Sequence, residues 1–171
     1  MPPAVPPRVR RAEEKLFADP VVARELSDCL SAISEFPMPD PQTVGALQGV
    51  SSIDAGELLL VGALVATPGA RLLTGDKRAI AAIAREAVGS FLQGRLLCVE
   101  QLLWSALDHY GPAALLMQVR KWPIRDMAAL AIFGREGNKA EGELREGLSS
   151  YICDLDAAAP GLLHRGYGLT D

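Results

Sequence analysis

The chain has 171 residues with 17 Lys+Arg against 21 Asp+Glu, a formal charge of −4. That balance excludes a polybasic module that coats phosphates, but not nucleic-acid chemistry carried by metal-bound carboxylates. At 49 % hydrophobic and 22 % charged, the composition is that of one packed domain rather than a disordered chain.

Before the first predicted element, Met-Pro-Pro-Ala-Val-Pro-Pro with Arg8, Arg10 and Arg11 lacks the apolar core of a secretory signal. It reads as a disordered leader over 1–15, or as the remnant of an N-terminus cut off or mis-assigned. Asp19-Pro20 then reads as an N-cap and N1 proline, opening a helix whose apolar positions are Val21, Val22, Leu26, Leu30 and Ile33. Three prolines between Pro37 and Pro41 predict an irregular segment. Asp54 and Glu57 stand in the relation of a capping box and start a helix to about Thr67, which Pro68-Gly69 stops.

Ala70–Thr74 reads as a short buried strand, followed at once by Gly75-Asp76 and a helix over 77–88. A strand entering a glycine turn and a helix is half of a βαβ unit, and residues at the strand's carboxyl end face the ligand crevice. Gly94–Val99 repeats the strand pattern, and Glu100–Tyr110 reads as a helix ended by Gly111-Pro112. Further helices are predicted over 113–121, 124–133 and 138–155, and a loose tail from Pro160. Cys29, Cys98 and Cys153 lack metal-site spacing and read as small reduced core residues of a cytoplasmic protein. The longest apolar run, Leu58 to Ala66, is about half the roughly twenty residues that a membrane span needs.

Asp54 and Glu57 share a helix face, and Asp76 ends the next strand, so packing of that strand on that helix brings three acids toward one crevice. Clustered carboxylates repel unless a cation holds them, and hard oxygen ligands favour Mg²⁺ or Mn²⁺. Two such ions about 3.5–4 Å apart serve in-line attack on a phosphodiester. The alternative is that Asp54 and Glu57 cap one helix and Asp76 the next. Lys77 and Arg78 follow Asp76 where cationic side chains and free amides meet a phosphate, or they line a solvated face. Lys121, Trp122 and Arg125 form a stacking patch for a base, or Trp122 packs a helix junction.

The stretch from Ser52-Ile-Asp-Ala-Gly-Glu57 through Ala66, with Ala70-Arg-Leu-Leu-Thr-Gly-Asp-Lys-Arg-Ala79, resembles the second half of a PIN-like domain. Pro20-Val-Val-Ala-Arg-Glu25-Leu26 is similar to that family's earlier acid-bearing helix. The resemblance implies a three-layer parallel sheet with helices on both faces and a metal-dependent ribonuclease site. It carries over Glu25, Asp54 and Asp76 as site acids, with Glu57 beside Asp54. The family's first strand, which ends in an aspartate, has no counterpart here, since prolines and arginines fill its place.

The expectation is therefore an α/β core over 16–111 that lacks its first strand, a helical extension over 112–160 packed on it, and a loose tail over 161–171. The expected function is Mg²⁺- or Mn²⁺-dependent hydrolysis of single-stranded RNA. The alternative is a catalytically silent PIN-like module that pairs with itself or with a cognate antitoxin-like protein.

Overall fold

The computed structural model describes residues 24, 28, 37–121, 127–134 and 139–169. Residues from Pro37 onward form one compact unit, and the chain before it forms another. In the earlier unit Arg24 and Asp28 are helical, while Glu25 lies outside the described residues. The later unit is mixed α/β, mostly helical with a two-stranded parallel sheet among the described residues.

Residues 37–40 are irregular as the prolines predicted, and the first helix, α1 (Pro41–Leu47), which the sequence did not suggest, opens at the last of those prolines. Asp40 overrides them: its Oδ2 accepts from Thr43 N and Thr43 Oγ1, both at 2.7 Å, and Pro41 occupies the first turn, where no amide is needed. Helix α2 (Ala55–Ala66) packs on α1 through Gly62, where a Cβ would stand 2.9 Å from that of Pro39. The amide of Asp40 donates to the Gly62 carbonyl at 3.0 Å across the same contact.

Strand β1 (Leu72–Thr74) pairs in parallel with β2 (Leu96–Cys98), in the register Leu72 with Leu96 and Thr74 with Cys98. The crossover between them is α3 (Lys77–Ile83), shorter than the predicted 77–88, followed by a 3₁₀ helix over Ala87–Leu92. Gly89 explains the early end of α3, because a Cβ there would lie 2.7 Å from the Ile83 carbonyl oxygen. Arg95, just before β2, donates to the carbonyls of Leu64, Thr67 (2.6 Å) and Ala70 (3.1 Å). One guanidinium thus adds a second donor to the carbonyls at the carboxyl end of α2 and fixes it beside the start of both strands.

Helix α4 (Val99–Lys121) is two helices joined at Gly111, whose φ of 75° breaks the ladder before Pro112, as Gly-Pro predicted. Beyond α5 (Met127–Phe133), α6 (Glu141–Ala158) joins two apolar clusters. Leu144 and Leu148 pack with Leu107, Ile132 and Phe133, while Ile152 and Leu155 pack with Ile80, Leu96 and Cys98. The helical half is therefore fused to the α/β core through this amphipathic helix and through α4, which leaves β2 directly and sets Trp104 against both clusters.

Two expectations are corrected. The tail is not loose: Leu162 and Leu163 are buried, and the segment pairs with the second edge of β2 through Leu96 N to Leu162 O (3.1 Å) and His164 N to Leu96 O (2.7 Å). Its apolar pattern, Leu162-Leu163 and Leu169, is short and interrupted by glycines, so local spacing did not betray the burial. Cys153 is exposed, whereas Cys98 is a core residue and burial pushes its thiol pKa up to about 11. Among the described residues, no helix is long and apolar enough to cross a membrane.

Candidate functional site

Arg95 holds the carboxyl end of α2 next to the starts of β1 and β2, so the chain reverses through Pro68-Gly69. The carboxyl ends of both strands lie at the opposite pole, the carboxyl edge of the sheet, whereas the turn at 48–52 that leads into α2 lies against the carboxyl end of α3. Asp76 caps the helix after β1 and Glu100 stands in the first turn of the helix after β2, both at that edge, while Asp54 caps α2.

Asp54 and Glu57 come together as the spacing predicted. Asp54 Oδ1 accepts from Glu57 N at 2.8 Å, and Glu57 Oε2 accepts from Asp54 N at 3.0 Å, a reciprocal capping box on an exposed turn. Asp76 closes the turn after β1: its amide donates to Thr74 Oγ1 at 3.1 Å, and its Oδ1 accepts from Arg78 N (2.8 Å) and Ala79 N (3.1 Å). The Ala79 amide is the main cause that holds the Asp76 carboxyl below its ordinary pKa. Partial burial opposes it, and the amide and guanidinium of Arg78 reinforce it. Asp76 Oδ2 stays outside the cap, 3.6 Å from Arg78 Nη2, whose side chain is otherwise exposed.

Lys77 is not free to follow a substrate. Its ammonium pairs with Glu100 Oε1 and stands 4.6 Å from the centre of the Tyr151 ring. Glu100 is the acid that sequence reading missed. It lies at the first turn of α4, only 5 % exposed, with Oε2 lacking a hydrogen-bond partner among the described residues. Beside it the fully buried Gln101 accepts from Cys98 N at 3.2 Å and donates to the carbonyls of His164 (2.8 Å) and Gly166 (3.4 Å), which locks the tail against this edge. The available signal was a polar pair, Glu100-Gln101, placed directly behind the apolar run Leu96–Val99.

Among the described residues, no three His, Cys, Asp or Glu side chains converge on a point that could hold a metal ion. These acids act as caps (Asp54, Glu57, Asp76) or as an ion-pair partner (Glu100). Glu25, Trp122 and Arg125 lie outside the described residues. No family model matches the chain, and neither a curated protein nor a solved structure is found similar to it.

Proposed function

We propose that the chain is a PIN-like module that hydrolyses single-stranded RNA with a divalent cation, Mg²⁺ or Mn²⁺, at the carboxyl edge of the sheet. The observation that supports this reading most is the Thr74-Gly75-Asp76 turn, which leaves a parallel strand and opens a helix with one carboxylate oxygen of Asp76 kept outside the cap. The donor chemistry suits a single hydrated cation held by one or two carboxylates and completed by substrate phosphate. It does not suit a multi-acid, two-metal centre built from the described residues alone. In this reading Asp76 is the first ligand, Asp54 supplies the second carboxylate through Oδ2, and Glu57 and Glu25 are the remaining acids. A bound cation would activate water and neutralise charge on the phosphoryl oxygens. The chain's own residues fix the carboxylates: backbone amides hold each cap oxygen, so the other oxygen keeps its direction. The three-layer PIN-like sheet, with a further strand beyond the two described, belongs to the same proposal.

The test uses the full chain, melted with and without millimolar Mn²⁺ and incubated with unstructured RNA. The expected result is a saturable rise in Tm, because a ligand bound only to the folded state stabilises it, together with RNA cleavage that EDTA abolishes. Both should be lost in Asp76→Asn. No change in Tm and no cleavage would overturn the reading.

A second reading, a catalytically silent PIN-like module that associates with a second copy or an antitoxin-like protein, is favoured by the engagement of every acid at this edge. Leu102, Tyr110 and Met117 on α4 and Met127 on α5 are exposed apolar residues available for such contact. A strictly monomeric chain in light scattering, with RNA cleaved, would count against it.

A further inference from the structure

The turn at 48–52 and the carboxyl end of α3 line an open surface pocket of about 470 Å³, with Gln48, Ser51, Ser52, Arg85 and Glu86 among its walls. That volume lies within the range of small-ligand pockets, roughly 300–1,000 Å³. Its polar lining is unspent. Among the described residues, nothing pairs with the Arg85 guanidinium, and no hydrogen bond occupies the Ser51 or Ser52 hydroxyl or the Glu86 carboxylate. Ser51, Ser52 and Arg85 are exposed and Glu86 is half-buried, so these groups face solvent and are open to a ligand at the surface.

A guanidinium with two hydroxyls beside it is a donor set for a phosphate, since Arg presents a planar fork that matches phosphate oxygens. Glu86 on the same wall repels a bare phosphate and accepts from N–H or O–H groups. A ligand that answers both carries a phosphate with sugar hydroxyls or base amines a few ångströms away, which is a nucleotide. At Gly49, which adopts a φ of 93°, a Cβ would meet nothing within 4 Å, so the turn adds no bulk to the pocket mouth. Ser52 is two residues from Asp54, so a nucleotide held here lies beside the amino end of α2 and its candidate acid.

Resting on the RNA reading above, the geometry points to this pocket as a nucleotide subsite for single-stranded RNA: phosphate on Arg85, Ser51 and Ser52, and sugar or base donors on Glu86. Lys77 and Arg78, which the sequence offers as phosphate contacts or as a solvated face, do not line it.

The test measures binding of a fluorescent single-stranded RNA 12-mer to the full chain in EDTA, with inorganic phosphate and a 5′-mononucleotide as competitors. Arg85→Gln should weaken RNA at least tenfold, and Ser51→Ala/Ser52→Ala several-fold, at an unchanged melting temperature. Glu86→Gln should weaken RNA and the mononucleotide while strengthening competition by inorganic phosphate. Wild-type RNA affinity in Arg85→Gln, or an unchanged phosphate-to-nucleotide ratio in Glu86→Gln, would overturn the proposal. A mononucleotide that binds as tightly as RNA would overturn the assignment to an RNA chain in favour of a free nucleotide. Loss of metal-dependent cleavage with Arg85-dependent binding intact refutes the hydrolase and leaves the subsite standing. Cleavage by Arg85→Gln at an unchanged KM does the reverse.

Discussion

Replacing Lys77 by Met isolates the most heavily buried charge in the unit. Glu100 has a side chain only 6 % exposed, Lys77 one that is 31 % exposed, and the lysine also stands over the Tyr151 ring. Removing one partner of a fully buried pair costs roughly 3–5 kcal/mol, because the other charge is left uncompensated. Water at the lysine end lowers this to about 2–3 kcal/mol, and the lost cation–π contact adds about 0.5 kcal/mol. Lys77→Met should therefore lose about 3 kcal/mol in urea unfolding followed by circular dichroism, or about 10 °C in Tm for a unit of this size. Glu100→Gln should cost about 1 kcal/mol or less, since the freed ammonium turns to solvent while the neutral amide stays buried. The double variant Lys77→Met/Glu100→Leu should return to within about 1 kcal/mol of wild type, as apolar replacement of a buried pair commonly does. Equal losses in the two single variants, or a Lys77→Met loss below about 0.5 kcal/mol, would refute the view that burial of Glu100 dominates this edge.

Arg95→Lys should destabilise by about 2–3 kcal/mol in the same assay, because one ammonium cannot reach the three carbonyls that the guanidinium spans. A loss below about 0.5 kcal/mol would show that water replaces the clamp. On acidification, Asp40 and Asp76 should act together. Thr43, through its hydroxyl and then its amide, lowers the pKa of the first, and chiefly the Ala79 amide lowers that of the second. A group with a depressed folded pKa contributes stability above its ordinary value of 3.8, and that contribution is lost as pH falls through the folded value. The stability gap between wild type and Asp40→Asn/Asp76→Asn should thus be widest near neutrality and close as the pH falls below about 4; a gap that widens in acid would contradict the sign.

Most elements with a local cause were legible. Asp54 with Glu57, Pro68-Gly69 and Gly111-Pro112 set helix ends by chemistry within one turn, and the structure places those ends within a residue of the predicted ones. What misled was a local signal weighed without its neighbour. The prolines around residue 39 hid α1, although Asp40-Pro41 with Thr43 spells the same kind of cap that the sequence suggests at Asp19-Pro20, which lies outside the described residues. The tail and α6 depend on partners far along the chain: Leu163 lies against Leu96, and Ile152 reaches the core around Cys98. No periodicity inside residues 160–169 encodes that pairing, because a three-residue parallel contact is too short to show a repeat.

The site divides along the same line, and it explains why cap and metal ligand looked alike. An N-cap aspartate uses one carboxylate oxygen on backbone amides and leaves the other outward, so its sequence context is the same whether or not that second oxygen has a use. Asp76 has this geometry, with Oδ1 on two amides and Oδ2 near Arg78 alone. Substitution separates the two roles where sequence does not. Asn caps a helix about as well as Asp, whereas Ala costs about 1 kcal/mol. Asp76→Asn should therefore unfold within about 0.5 kcal/mol of wild type in EDTA, and Asp76→Ala about 1 kcal/mol lower. If the outward oxygen serves only the cap, Mn²⁺ will raise the Tm of wild type and Asp76→Asn alike or not at all. If it holds a cation, the rise will belong to wild type, and the asparagine variant will keep its fold while losing it. A variant that loses metal response and stability together would show instead that carboxylate charge at the α3 amino end holds the turn, through the helix dipole and Arg78 rather than through a ligand.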